Sequence, residues 1–173
     1  MSARLSCLTR RSARWLAGCV WAIAAWSTPA RAETVLTRAF SAPSPEFDRL
    51  QRSLESYGFT VRLEAPPRWG TYGQLQGKTQ TIWINPVAFE LGNADATLIH
   101  EAVHAAQTCA GENGNLRPLG LDIQPPKLTR PYFLRYHNHI RRQLEAEAYT
   151  VPAQPNAIAI VHDLLQQHCP LPD

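Results

Sequence analysis

The sequence predicts an α+β fold around a single core, and three observations carry that reading. Between Phe59 and Ile84 short β-like runs containing Thr, Val and Ile are punctuated by Pro and Gly, the pattern of brief strands and a hairpin. From Ala94 onward the apolar residues recur at helical spacing instead. Grouped strands followed by helices point to a small antiparallel or mixed sheet packed on helices.

In order along the chain, the first 32 residues read as a secretory signal peptide. Arg4, Arg10, Arg11 and Arg14 form a basic start, Trp15 to Trp26 is an apolar run of 12 residues, and Ala30-Arg31-Ala32 is a processing site with cleavage after Ala32. The run is too short to span a bilayer comfortably, so no stable membrane anchor is expected. Leu16-Ala17-Gly18-Cys19 has the form of a lipoprotein box, but most of the apolar run follows the cysteine rather than preceding it. Arg10-Arg11 lacks the apolar residues that follow a twin-arginine signal. The expected destination is the periplasm or the extracellular space.

Without that segment the balance of charge reverses. It carries five Arg and no acid, which leaves 141 residues with 12 basic and 14 acidic side chains and a formal net charge of −2. Nothing electrostatic then argues for nucleic-acid binding. The remaining length suits one domain and is short for two. Cys109 and Cys169 are an even pair in a compartment that permits disulfides, so a bridge between them is expected.

Residues 33–43 show no period and read as a flexible lead-in to a single domain over 44–173. Ser44-Pro45 opens a helix with Phe47, Leu50, Leu54 and Tyr57 on one face and Gly58 closing it. Phe59 to Glu64 reads as a strand that Pro66 and Pro67 end, and Thr71 to Gln76 with Thr79 to Ile84 as a hairpin joined at Gly77-Lys78. Asn85-Pro86 stops the second hairpin strand. Asn93, Asp95 and Thr97 then provide helix-start character, and no Gly or Pro interrupts Ala94 to Gln107. After Cys109 comes a long loop with Gly111, Gly114, Pro118, Gly120, Pro125 and Pro126, the kind that is functional or pinned by something else. A second long helix is predicted from about Phe133 to Val151, and a last one after Pro155 with Ala157, Ile158, Val161, Leu164 and Leu165 as its packing stripe.

The helix from Ala94 carries the pattern that bears on function. His100, Glu101 and His104 place two imidazoles one turn apart on one face, able to share a metal ion, with a carboxylate beside the first. Six His and nine Glu in 173 residues would yield such a pattern by chance in roughly one chain in a hundred. The surroundings therefore matter. Leu98, Ala102, Ala105 and Ala106 form an apolar stripe beside the histidines, and such groups are costly to bury without a partner.

A catalytic zinc takes three protein ligands and keeps a fourth position for water. A metzincin would follow the motif with Gly and a third His, but Gln107 and Ala110 occupy those positions. The best remaining source is Leu144-Glu145-Ala146-Glu147-Ala148-Tyr149. On these residues the chain resembles the minimal gluzincin-type, zincin-like metallopeptidases, in which H-E-x-x-H on one helix is followed by E-x-x-A-[DN] on another. The resemblance covers about Thr71 to Tyr149. It implies a zincin-like core with a hairpin packed on the metal helix, and zinc held by His100, His104 and Glu145. Tyr149 stands where the family has Asp or Asn. Periodicity read alone favours the other glutamate, because Ile140, Leu144, Ala148 and Val151 define an apolar stripe and Glu147 lies nearer its centre. The two carboxylates are about 200° apart around a helix, so only one can face the metal, and the other would be an ordinary solvated group.

The expected chemistry is peptide-bond hydrolysis by a zinc-activated water, with Glu101 as general base. Tyr149, Tyr132, Tyr136 or one of His137 and His139 would help stabilise the oxyanion. His137 and His139 lie two residues apart and cannot both join a site built from His100 and His104; the expected place for both is the surface or a packing contact. The hairpin edge is a candidate surface for an extended protein or peptide substrate. The competing reading is a non-catalytic zinc-binding or interaction protein of the periplasm.

Overall fold

Ser44 starts the first helix, α1 (Pro45–Ser56), by accepting a hydrogen bond on Oγ from the Phe47 N–H at 2.9 Å. Phe47, Leu50 and Leu54 are buried, and Gly58 takes φ +85° to turn the chain out of the helix. In this computed structural model residues 42–171 are described. The signal peptide, its processing site and residues 33–41 of the lead-in lie outside the described residues.

Three short strands follow: β1 (Thr60–Arg62), β2 (Gly73–Gln76) and β3 (Thr81–Ile84). They form one sheet in the order β1-β3-β2, with β1 parallel and β2 antiparallel to the central β3. The hairpin register pairs Gly73 with Ile84 and Leu75 with Ile82. Its turn is longer than a two-residue connection, because Gly77–Thr79 make a 3-10 turn and Gln80 adopts a left-handed conformation at φ 47°. Alternation on β3 sends Ile82 and Ile84 into the core.

A single-turn helix, α2 (Val87–Glu90), leads into α3 (Ala94–Ala110), one turn longer than its interruption-free stretch suggested. Asn93 is the N-cap residue, yet its side chain caps nothing; Asp95 lies in the first turn and accepts from Ser44 Oγ at 2.7 Å. Leu98, Ala102, Ala105 and Ala106 are all buried. Small side chains on this face let α3 sit close against its neighbours at the centre of the molecule.

The predicted long helix is two helices, α4 (Arg130–Leu134) and α5 (His139–Thr150). Asn138 decides the break: its Oδ1 accepts from the Arg141 N–H at 2.9 Å, a cap that starts a new helix. Arg142 Nε donates to the Tyr136 carbonyl at 2.9 Å and pins the connector. Ile140 is consequently exposed rather than part of a packing stripe, while Ala148 and Val151 are buried. The last helix, α6 (Ala157–His168), packs Val161, Leu164 and Leu165 into the cluster that also holds Phe47, Ile82, Leu98 and Val103. Cys109 near the end of α3 and Cys169 just beyond α6 are joined by a disulfide. It is compatible with an exported chain. Among the described residues no helix is long and apolar enough to cross a membrane.

Candidate metal centre

Crossing of α5 over α3 brings His100, His104 and Glu145 together. The Glu145 Oε2 atom lies 3.7 Å from His100 Nε2 and 3.8 Å from His104 Nε2, and the ligand atoms of the three residues all fall within 4.8 Å of one another. Donors about 2.1 Å from a tetrahedral ion stand about 3.4 Å apart, so this spacing suits a shared metal. These three residues could hold a metal ion.

Hydrogen bonds behind His104 determine which nitrogen faces the cluster. Gln107 Nε2 donates to the Leu144 carbonyl at 3.0 Å and to Glu147 Oε2 at 2.8 Å, which orients the amide. Its Oε1 must then accept from His104 Nδ1–H, 2.6 Å away. The lone pair of His104 Nε2 therefore points toward Glu145. Burial lowers the pKa of His104 against the opposing pull of Glu145 and Gln107. Burial and the His104 charge lower that of His100 further, against a hydrogen bond to the Ala148 backbone. Neutral imidazoles and a carboxylate with lone pairs converging are in the form that binds a cation. The donor set thus fits a divalent metal.

Glu147 is not in the cluster, and neither is it the solvated carboxylate expected of the second glutamate. It is only 9 % exposed and holds down the long loop. Its Oε1 accepts from the N–H groups of Gly120 at 2.7 Å and Leu121 at 3.4 Å, while Oε2 accepts from Leu119 at 2.9 Å as well as from Gln107. The loop, Glu147, Gln107 and His104 therefore form one hydrogen-bonded chain ending at the cluster. Such support fixes ring orientation and basicity in metal sites.

Glu101 is 5 % exposed and lies against β2. A Cβ built on Gly73 would stand 2.7 Å from Glu101 Oε1 and 2.7 Å from Thr97 Cγ2, so only glycine lets the strand approach the helix here. The backbone N–H of Leu75 hydrogen-bonds the Glu101 carboxyl, but burial and then the Glu145 charge dominate and push its pKa from 4.5 to about 8.

These shifts predict the pH dependence of the metal-free protein. Between 4.5 and about 8 the folded state keeps a proton on Glu101 that the unfolded chain has lost; below 6.5 the unfolded histidines take up protons that the folded ones refuse. From pH 6.5 to 8 stability falls by about 1 kcal/mol, the Glu101 slope being partly offset at first by unfolded histidines that are still half protonated at 6.5. Below 6.5 the two histidines outweigh the one carboxyl, so stability falls there too and peaks near pH 6.5. Urea titrations across this range would show the alkaline limb, and Glu101→Gln should remove it; a limb that survives the substitution refutes the assignment.

An aromatic wall borders the cluster. The Tyr149 ring packs against His100 with centroids 4.4 Å apart and stacks on Tyr132 at 5.2 Å. The Tyr149 pKa is raised by burial and the charge on Glu145, so its phenol stays a donor. Tyr136 instead has two guanidinium groups against its ring, those of Arg135 and Arg141, 5.2 and 4.8 Å from the centroid. His137 and His139 are exposed and do not join the ligand group, and His162 pairs with Ser53 Oγ at 3.1 Å.

Sequence reading overlooked Gln107, Gly73 and the work of Glu147. Gln107 had a usable signal, since it follows His104 by three residues and so lies on the same helix face. The chain matches no protein-family model, no curated protein and no solved structure.

Proposed function

We propose that this protein is an exported zinc metallopeptidase that hydrolyses peptide bonds, with zinc held by His100, His104 and Glu145. The observation that carries the reading is the convergence of two neutral imidazoles and a carboxylate beside a separate buried glutamate. A structural zinc site is closed by four protein ligands, whereas three ligands with a carboxylate next to them is the arrangement of hydrolases. When bound, zinc supplies a Lewis acid that polarises the substrate carbonyl and acidifies water.

The chain's own groups do the rest. Glu101 accepts the proton of the attacking water and passes it to the leaving amine. It needs its ionised form for this, and a cation held by Glu145 would offset the second cause of its raised pKa, the Glu145 charge. The Tyr149 phenol donates to the developing oxyanion, a choice among the five candidate residues favoured by its contact with His100. Strand β2 lies at the sheet edge beside Glu101, and an extended peptide added to that edge would have its backbone aligned with the site.

The test is metal analysis of the full chain together with proteolysis assays. One zinc per chain and chelator-sensitive cleavage are expected, with Glu101→Gln keeping the metal and losing at least about a hundredfold in rate. His104→Ala should lose the metal itself. Stoichiometric zinc without chelator-sensitive cleavage would favour the non-catalytic zinc-binding reading, undiminished cleavage by the Glu101→Gln protein would refute Glu101 as the general base, and the absence of stoichiometric metal would end both readings.

A further inference from the structure

Charge is unevenly distributed beside the cluster. Residues 127–142 contain five Lys and Arg and no Asp or Glu, whereas the rest of the chain after residue 32 holds seven basic and 14 acidic side chains. Two of the five gather on Tyr136, and one of these reaches the cluster. Arg135 donates from Nη2 to the Tyr136 hydroxyl at 3.3 Å, and Arg141 approaches Glu145 Oε1 at 3.9 Å with its guanidinium over the same Tyr136 ring. Among the described residues Arg135 has no carboxylate within 4.0 Å and Arg141 has only Glu145. A carboxylate engaged by a metal has less charge to offer Arg141. Two like-charged guanidinium groups gathered by one ring, next to a cation site, leave a local excess of positive charge that a substrate anion would neutralise.

We propose that Arg135 and Arg141 form a subsite for a substrate carboxylate, so that the enzyme acts on peptides carrying a free carboxylate next to the scissile bond, at the C-terminus or on an acidic side chain. This rests on the peptidase reading. Planar, five-donor guanidinium groups suit a carboxylate better than lysines would. Contact with the tyrosine ring holds each of them in place, which lowers the entropy lost on binding.

The experiment compares cleavage of a tryptic casein digest by the full chain, before and after conversion of the peptide carboxylates to methylamides, with products counted by mass spectrometry. The free-acid digest should be cleaved about tenfold faster at low salt, with the advantage shrinking in 0.5 M NaCl as charge is screened. In Arg135→Ala, which does not touch Glu145, and in Arg141→Ala the ratio between the two digests should fall toward one. Zinc content of each variant separates lost recognition from lost metal. Equal cleavage of both digests by the wild type overturns the subsite while leaving the peptidase intact. Cleavage of neither digest by zinc-loaded protein overturns the peptidase reading, and the subsite with it.

Discussion

Substituting Glu147 by Ala is expected to destabilise the fold by on the order of 3–5 kcal/mol, although the residue stands outside the cluster. Its carboxylate collects three loop N–H groups and the Gln107 amide, two donors on each oxygen. Alanine strands all four in a largely buried place. Glutamine is no substitute, because its amide nitrogen would face donors. The loop from Gly111 to Thr129 should become protease-sensitive, and zinc affinity should fall by about 10–100-fold as His104 loses its orientation through Gln107. Gln107→Leu separates the two effects: affinity drops while the loop stays in place. Urea unfolding, limited proteolysis and metal titration are the measurements. A Glu147→Ala protein within 1 kcal/mol of the parent would show that the loop is held by something else.

Opening the disulfide should cost nearly as much. Cys109 and Cys169 are separated by 60 residues, and closing a loop of that length removes about 4 kcal/mol of unfolded-chain entropy in the loop-closure treatment. The bridge ties the end of α3 to the segment after α6, so it also fixes the helix that carries both histidines. A double Cys→Ser variant, compared with the parent by denaturant titration under oxidising conditions, should lose roughly this amount. Alkylation of both cysteines under denaturing conditions without prior reduction would deny the bridge altogether.

Much of the scaffold was legible because its signals are local. Ser44-Pro45 and Gly58 bound α1 through a cap and a positive-φ turn, and the uninterrupted run after Asn93 becomes α3. The break between α4 and α5 was not read, though Asn138 three residues before Arg141 is a local cap; the apolar periodicity around it masked the signal. The outward position of Ile140 follows from that break. Gly73 gives no sign in the sequence of what it permits, since Glu101 and Thr97 reach it from another element.

By itself the sequence determined the placement of His100, Glu101 and His104 on one buried helix, because helical spacing is a property of adjacent turns. It also supplied the pairing of two cysteines and a second helix with two glutamates. Only the tertiary structure decided which glutamate meets the histidines. Periodicity drew Glu147 inward, and inward it went, but toward Leu119, Gly120 and Leu121, whose N–H groups satisfy its charge from 26 to 28 residues away. Glu145, on the border of the stripe, was left to face His100 and His104. The fate of a buried carboxylate depends on the donors that other segments bring to it, and those are specified by docking rather than by the residues beside it.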